Sequence, residues 1–424
     1  MQPPAADVLE RRSPRRGGAT DRGRWLRAAG VAGLAAVTLV RLAVVGGSLN
    51  RVWAEDGTIF VTGALRDGFP RVLGATYQGY LLLAPRLLAE VVAIFPVRTA
   101  GTVIAVLVAG CMALLAAFVI AASAARVPSP ALRGLLGLAV VLLPVGRVEV
   151  VGALANLQWP LLFAAFWALV MVDARPALRR VGIGVAALAA MTCPITLVYA
   201  PIAAYRLARS RVRVDRLIPA AFLAGCLAQV VAISLATSAR TLHQGLHGPV
   251  DLVGQFLRWV VTGAVVWPDA LVPSAASVTF GAVVLVTLAA CAIGGSRWST
   301  GHGTALLALV YSGVTFAAPV YASGTATRYA YVPALLLLSA LAMLVPRHGI
   351  VPRAVTATLA AAWLLSLPAA GYRVSGPTWA ASVHRAGVAC GPGRAAVRVP
   401  VAPFVRGAPW GEAVIPCSAV RASG

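Results

Sequence analysis

Two adjacent carboxylates, Glu55 and Asp56, stand out in the segment RVWAEDGTIF at residues 51–60. They directly follow the first long apolar segment, at the place where such a segment would leave a membrane. A carboxylate there can act as a general base for an acceptor hydroxyl, and a pair can hold a divalent cation beside a phosphate leaving group. The structural alternative is a solvated turn in which Asp56 caps the helix that begins at residue 57.

A phosphate group also needs cationic partners, and the planar guanidinium of arginine can bind phosphate with two hydrogen bonds at once. Arg328, in SGTATRYAYVP, is the first candidate for that role. Tyr329 and Tyr331 beside it are candidates for stacking on a sugar or for donating a hydroxyl hydrogen bond. The alternative is an anchor at the membrane boundary, where Arg and Tyr are ordinary residues.

The segment GRVEVVGALANLQWP, residues 146–160, offers Asn156, Gln158 and Trp159. Amides provide directional hydrogen bonds and an indole provides a flat stacking face, as a sugar site requires. The same residue types are also common in loops and at membrane boundaries. We expect these three side chains to contact a donor or an acceptor.

Further candidates lie in GYLLLAPRLLAE, residues 79–90, where Tyr80 and Arg86 are possible substrate contacts. Arg86 precedes Glu90 by four residues, a spacing that favours an ion pair on one helix face. Arg41 lies within the first apolar segment, and it is expected to pair with Glu149 or to extend toward the boundary.

His243 and His247, in TLHQGLHGP, have the spacing of zinc ligands on a helix. Gln244 occupies the position where a metalloprotease has Glu, and the neighbouring Gly and Pro residues argue against a helix, so no metal site is predicted there. No Walker loop, dinucleotide-binding glycine pattern or nucleophile elbow is present. A soluble nucleotide-sugar donor is therefore not expected.

The composition is that of an integral membrane protein. Of 424 residues, 59% are hydrophobic and 12% are charged, and the mean hydropathy is +0.84. The formal net charge of +23 comes from 36 basic residues, all of them Arg. Because these arginines are spread between apolar segments rather than gathered on one element, nucleic acid is not a predicted partner.

A membrane-spanning helix needs about 17–25 mostly apolar residues, and Arg-rich short loops mark the cytoplasmic side. These rules predict an all-α polytopic transmembrane bundle of about eleven spans within residues 28–370. The predicted spans are 28–48, 97–124, 132–150, 158–173, 181–193, 194–206, 217–238, 273–294, 302–320, 329–345 and 353–370.

The predicted orientation in the plasma membrane places the N-terminus in the cytoplasm, because the arginines favour the loops on that side. Residues 1–27 are predicted to be a disordered basic arm. A secretory signal is the rival interpretation, but the apolar run that follows exceeds the length of about 7–15 residues found in such signals.

The spans 181–193 and 194–206 are each too short to cross a full hydrocarbon core. Pro194 lacks a backbone N–H and interrupts the helix between them. A tight pair of short helices is the preferred interpretation, and one long kinked helix, which would invert the topology downstream, is the alternative.

Two regions are predicted to lie outside the membrane on the far side from the cytoplasm. In the first outer loop, 49–96, helices at 58–69 and 79–95 are expected to lie in the membrane interface. Residues 371–424 form an extracytoplasmic tail, in which Cys390 and Cys417 are expected to form a disulfide in an oxidising compartment. The other four cysteines lie within spans and are expected to be apolar core residues.

This arrangement resembles the GT-C superfamily of membrane glycosyltransferases. WAEDG at 53–57, followed by GYLLLAPRLLAE, also resembles a set of actinobacterial polytopic membrane proteins; ANLQWP at 155–160 and TRYAYVP at 327–333 resemble it more weakly. The resemblance implies a polyprenyl-phosphate sugar donor, a cell-envelope glycan or protein acceptor, and an acid of the first loop as catalytic base or metal partner. That role falls on Asp56 or Glu55, with Mg²⁺ or Mn²⁺ as the candidate cation.

Two other classes of function stay open. A lipid or solute transporter would use the broken helix at 192–194 as its binding site. A non-catalytic envelope assembly protein would use the tail, 371–424, as its working part.

Overall fold

The computed structural model describes residues 17–44, 48–172, 174–210, 213–236, 248–267, 278–279, 282–283, 300–324, 326–345, 350–366, 375–405 and 407–423. The described part of the chain is mostly helical, with one two-stranded sheet near the C-terminus.

The α-helices in these residues are α1 (Gly17–Ala43), α2 (Thr62–Arg66), α3 (Arg71–Gly74), α4 (Leu83–Ala93), α5 (Ala100–Ala122), α6 (Pro130–Leu142), α7 (Gln158–Val170), α8 (Pro176–Ala190), α9 (Ala200–Arg209), α10 (Arg213–Leu235), α11 (Pro249–Gln255), α12 (Thr300–Ser323), α13 (Tyr331–Leu344), α14 (Ile350–Leu365), α15 (Trp379–Val388) and α16 (Cys417–Arg421). Short π-helices cover Asp56–Val61 and Phe256–Val261. Short 3₁₀ turns cover Ser48–Asn50, Val97–Thr99, Ser123–Ala125, Pro144–Gly146, Ala155–Leu157, Pro194–Tyr199, Thr262–Ala264 and Thr327–Ala330.

Four helical stretches among the described residues are long and apolar enough to cross a membrane, namely Val97–Ala125, Arg213–Leu235, His302–Ser323 and Thr327–Leu344. The shorter apolar helices are Ala28–Ala43, Pro130–Gly146, Ala155–Val170 and Ile350–Leu365. Each predicted span overlaps one of the helices, except 273–294, which lies almost wholly outside the described residues. A helical protein with several apolar helices is thus observed, and eleven membrane crossings stay a prediction.

Helices α7 and α13 form the centre of the bundle. Nearly every residue of both helices is buried, which is the expected position of a helix that is apolar on all sides. The outer helix α5 instead exposes apolar side chains such as Val106 and Leu114, as a surface in contact with lipid would. Helices α8 and α10 pack closely at Gly225, which has no side chain. A Cβ atom there would lie only 2.7 Å from the Cβ atom of Ala190.

The chain turns sharply between α8 and the helix that follows it. Cys193 has an extended backbone, and Pro194 begins the next helical turn. The stretches Pro176–Ala190 and Pro194–Arg209 are bent by 120° relative to each other. This angle favours the predicted pair of short helices over one long kinked helix.

The C-terminal segment is a small folded unit, where the sequence indicated only a tail. Strands β1 (Ala396–Val405) and β2 (Ala408–Pro416) pair antiparallel, which adds a hairpin to the predicted all-α fold. A disulfide joins Cys390, after α15, to Cys417, at the start of α16.

This C-terminal unit packs on the first loop. Arg51 donates hydrogen bonds to the backbone carbonyls of Ser375 and Pro377, at 2.6 and 3.0 Å. The indole N–H of Trp379 donates to the carbonyl of Val97 at 2.6 Å. The backbone N–H of Ala402, in β1, donates to Val52 at 3.0 Å. Strand β1 therefore lies directly beside the acid pair.

Candidate functional site

The two adjacent carboxylates lie in different environments. Asp56 is fully buried, and its two oxygens accept hydrogen bonds from the backbone N–H groups of Leu154 and Ala155, at 2.9 and 2.8 Å. These N–H groups lie at the start of the helical run 155–170, where the helix dipole favours a negative charge. Asp56 therefore caps a helix, as the structural alternative proposed, but the helix is distant in sequence rather than its own.

Glu55 is only partly buried, and its carboxylate is oriented from one side. The hydroxyl of Tyr77 donates a hydrogen bond of 3.1 Å to Oε1 of Glu55, and the amide of Gln78 donates to the Tyr77 oxygen at 3.3 Å. Within the described residues, Oε2 of Glu55 has no hydrogen-bond partner. Glu55 can therefore accept a proton from a bound ligand.

A tight turn places Tyr77 beside Glu55. Tyr77 and Tyr80 exchange backbone hydrogen bonds of 2.8 and 3.1 Å, and the two residues between them have positive φ angles, +50° at Gln78 and +86° at Gly79. Positive φ at both central positions is the backbone of a type I′ turn, which Gly tolerates well. The rings of Tyr77 and Tyr80 pack edge to face, with centroids 5.6 Å apart.

Glu55 lines a cavity of about 470 Å³ that six separate segments of the described chain enclose. Its lining combines one acid, one base, amides and several aromatic rings. The lining residues are Trp53, Glu55, Tyr77, Gln78, Tyr80, Leu82, Ala155, Asn156, Gln158, Trp159, Pro194, Ile195, Val198, Ala318, Pro319, Ala322, Ser323, Arg328, Tyr329 and Trp410. Seven of the ten predicted catalytic or substrate-binding residues are therefore brought together.

Arg328 reaches this cavity while paired with Glu149. Nη1 of Arg328 contacts Oε2 of Glu149 at 2.5 Å, and the Arg328 side chain stays 36% exposed. Its guanidinium carbon lies 5.1 Å from the centre of the Tyr329 ring. Because a guanidinium has five N–H donors, the Glu149 contact leaves donors for a ligand. The sequence also suggested a pair between Arg41 and Glu149. In the structure Glu149 pairs with Arg328, and Arg41 donates to the carbonyls of Val141 and Leu143.

The amide and indole candidates form a hydrogen-bonded wall. Asn156 donates to the backbone carbonyl of Glu149 at 2.9 Å and accepts from the indole N–H of Trp159 at 3.1 Å. The Trp159 ring packs edge to face on Tyr329, with centroids 5.5 Å apart. Asn156 is buried and holds this wall together through its hydrogen bonds. Gln158 also lines the cavity and is partly exposed.

Three predicted residues do not line the cavity. Asp56 is one, for the reason given above. Tyr331 is fully buried and donates its hydroxyl to the carbonyl of Val140, so it joins two helices instead of contacting substrate. Arg86 is 4% exposed, and its guanidinium lies 5.6 Å from the centre of the Phe60 ring.

The predicted ion pair between Arg86 and Glu90 is absent among the described residues. Arg86 donates instead to the carbonyl of Thr76 at 3.4 Å, and Oε1 of Glu90 is buried without a partner. Burial lowers the pKa of Arg86, although the charge of Asp67 opposes this shift, and burial raises the pKa of Glu90. The tertiary contact with Phe60 and Thr76 replaces the local pair.

Sequence reasoning missed part of the site. Tyr77 and Gln78 lie on the first loop beside the candidates, so their polar and aromatic character was a usable signal. Trp410 belongs to β2 of the C-terminal unit, is 62% exposed and lines the cavity. No local pattern links residue 410 to residue 55, because only the docking of the hairpin brings them together.

The predicted metal site rests on the two first-loop acids. Among the described residues, no three His, Cys, Asp or Glu side chains lie close enough together to hold a metal ion. Glu55 reaches the cavity, and both oxygens of Asp56 are bonded to backbone N–H groups. The acid pair therefore does not fit a site in which both carboxylates bind one cation. His243 and His247 lie outside the described residues.

Comparison with protein families, with curated proteins and with solved structures gives no match to this chain. The functional argument therefore depends on the chemistry of the cavity itself.

Proposed function

We propose that the chain is a polytopic membrane enzyme of the glycosyltransferase type, which transfers a sugar from a polyprenyl-phosphate donor to an acceptor on the outer face of the membrane. The acceptor is a hydroxyl of a cell-envelope glycan or protein. One observation carries the proposal: Glu55 and Arg328, 273 positions apart, line the same cavity. An outward carboxylate and a guanidinium in one pocket are the two charges that such a transfer needs.

In this reaction Glu55 accepts the proton of the acceptor hydroxyl. The acceptor oxygen forms a bond to the anomeric carbon of the donor sugar, and the bond from that carbon to the phosphate oxygen breaks. The phosphate leaves with the electron pair, and Arg328 donates hydrogen bonds to it. Tyr77 holds the Glu55 carboxylate in place through the hydrogen bond to Oε1. Because the acid pair does not fit a metal site, no step is assigned to a metal.

The aromatic lining supports a sugar as the transferred group. Tyr80, Trp159, Tyr329 and Trp410 surround the charged residues, and pockets that combine apolar faces with a few directed polar groups bind and orient small ligands. The disulfide between Cys390 and Cys417 supports an extracytoplasmic position for the unit that carries Trp410.

The test measures release of polyprenyl phosphate in proteoliposomes supplied with polyprenyl-phosphate hexoses and pentoses and with envelope extract as acceptor. Glu55→Gln is expected to lower the rate by about 100-fold or more, because it removes the general base. Asp67→Asn, which changes an exposed acid of the same loop, is the matched control and is expected to keep the rate. A Glu55→Gln variant with the wild-type rate would remove the proposed role.

A transporter is the second candidate, because Pro194 and Ile195 at the broken helix also line the cavity. A transporter would move a labelled lipid or solute across the vesicle without cleaving it. Movement that persists in Glu55→Gln, together with no release of polyprenyl phosphate by the wild type, would favour transport.

A further inference from the structure

A second cavity, of about 410 Å³, gathers arginines at another end of the bundle. Arg126, Arg179, Arg206 and Arg209 line it, with Asp215 as the one acid among the described lining residues. Four guanidinium groups and one carboxylate give these side chains a net charge of +3. Such a concentration of one sign in a concave site attracts anions.

Three helical stretches contribute to both cavities from opposite ends. Along α7, Trp159 lines the Glu55 cavity and Val170 lines the arginine cavity, about 16 Å apart at the helical rise. Along α12, Pro319 lines the Glu55 cavity and Thr304 lines the arginine cavity. Along the helical stretch Pro194–Arg209, Pro194 lines the Glu55 cavity and Arg209 lines the arginine cavity. The arginine cavity therefore lies at the face opposite Glu55, which is the predicted cytoplasmic face.

Two of the arginines are held in place by the fold. Nη1 of Arg206 donates to the carbonyls of Ala168 and Leu169, at 2.7 and 2.8 Å, near the C-terminal end of α7. A cation is favoured there by the helix dipole. Arg179 pairs with Asp215 at 3.4 Å. The site is thus organised before a ligand binds, which lowers the entropic cost of binding.

The remaining lining of this cavity is largely apolar. Leu169, Val170, Ile202 and Leu307 lie beside the arginines. The arginines converge from three separate helical segments around 126, 179 and 206–209, beside apolar side chains. This combination suits a ligand with a phosphate group and an adjacent apolar part.

We propose that the arginine cavity binds a phosphate-bearing anion at the face opposite the Glu55 cavity. The phosphate belongs either to the headgroup of an anionic membrane lipid or to a soluble phosphate compound, and the two sources share the same recognition by guanidinium groups. The proposal does not depend on the transfer reaction.

The test measures the thermal unfolding of the full-length protein in phosphatidylcholine vesicles with increasing phosphatidylglycerol. If the ligand is a lipid, we expect the unfolding temperature to rise with phosphatidylglycerol content until it saturates. The soluble arm adds pyrophosphate to vesicles of phosphatidylcholine alone, and a rise there assigns the site to a soluble compound. The double variant Arg126→Gln with Arg209→Gln is expected to weaken the apparent affinity for the active probe by about ten-fold or more.

The matched control is Arg180→Gln with Arg353→Gln, which removes the same charge from exposed arginines that do not line the cavity. It is expected to keep the wild-type response. Equal weakening by both double variants, or no response of the wild type to either probe, would overturn the proposal and leave the arginines as membrane anchors only.

A second measurement needs no variant. Native mass spectrometry of the wild-type protein, released from mixed vesicles, is expected to show retained phosphatidylglycerol well above its share in the vesicle, or retained pyrophosphate in the soluble arm. Retention of both lipids in vesicle proportion, with no bound pyrophosphate, contradicts the proposal.

Discussion

Oδ2 of Asp56 accepts a hydrogen bond of 2.9 Å from the backbone N–H of Leu154. This contact ties the first loop to the segment that forms one wall of the cavity, while the neighbouring Glu55 lines the cavity itself. The two acids of one short motif are therefore placed differently: Asp56 holds two parts of the chain together, and Glu55 is the acid to which the proposed function assigns the chemistry.

Asp56→Asn should destabilise the protein more than Glu55→Gln does. An amide can accept with one atom only, so one of the two buried N–H groups loses its acceptor, at a cost of about 1.5–3 kcal/mol. Thermal unfolding of both variants in detergent measures the difference. Similar unfolding temperatures for Asp56→Asn and the wild type would contradict the positioning role.

Tyr77→Phe should lower the transfer rate by about three- to thirty-fold with little change in KM for the donor. The substitution removes the one described hydrogen bond to Glu55 but keeps the ring that packs on Tyr80. Steady-state kinetics test the split between kcat and KM. Tyr321→Phe, at an exposed position that lines neither cavity, serves as the control and should behave as the wild type.

Arg328→Lys should raise the KM for the lipid-linked donor, because an ammonium group cannot replace the planar guanidinium that spans Glu149 and a phosphate. Glu149→Gln should keep Arg328 in the cavity and remove the competing charge, so the donor KM should fall or stay the same. Donor titrations of both variants decide the point. A lower KM for Arg328→Lys would argue against phosphate binding by this residue.

Trp410→Ala should raise the KM of a sugar substrate by roughly three- to ten-fold, the effect of one lost aromatic stacking contact of about 0.5–1.5 kcal/mol. Because Trp410 is 62% exposed, the unfolding temperature should change little. Trp410→Phe should recover most of the loss. Val388→Ala, an exposed position in the same unit, is the control, and an unchanged KM in Trp410→Ala would place the residue outside the substrate path.

Gly57→Ala should loosen the docking of the C-terminal unit. A Cβ atom at position 57 would lie 2.5 Å from Cγ1 of Val401, so strand β1 or the first loop has to move, at a cost of about 1–3 kcal/mol. Gly74→Ala on the same loop meets no atom within 4 Å and should leave docking unchanged. Limited proteolysis of the C-terminal unit, residues 375–423, compares the two variants, and equal cleavage would contradict the predicted clash.

Length and composition of apolar segments predicted the helices well, because a helix that can cross a lipid core must satisfy its own backbone and present apolar side chains over its whole length. The break at Pro194 also follows from local chemistry, since proline lacks the donor that would continue the helix. Arg328 and Trp159 were chosen as candidates from their residue types and from their predicted positions between spans, and the structure places both at one cavity.

Tertiary structure decided the different environments of Glu55 and Asp56. Both acids have the same local signal, and their tertiary partners distinguish them: the N–H groups of Leu154 and Ala155 bind Asp56, and the hydroxyl of Tyr77 binds Glu55. The Arg86–Glu90 spacing predicted a local pair, but burial against Phe60 provided a different partner. Trp410 reaches the cavity because the hairpin that carries it packs on segments distant in sequence. Such contacts cannot be predicted from the local residue pattern.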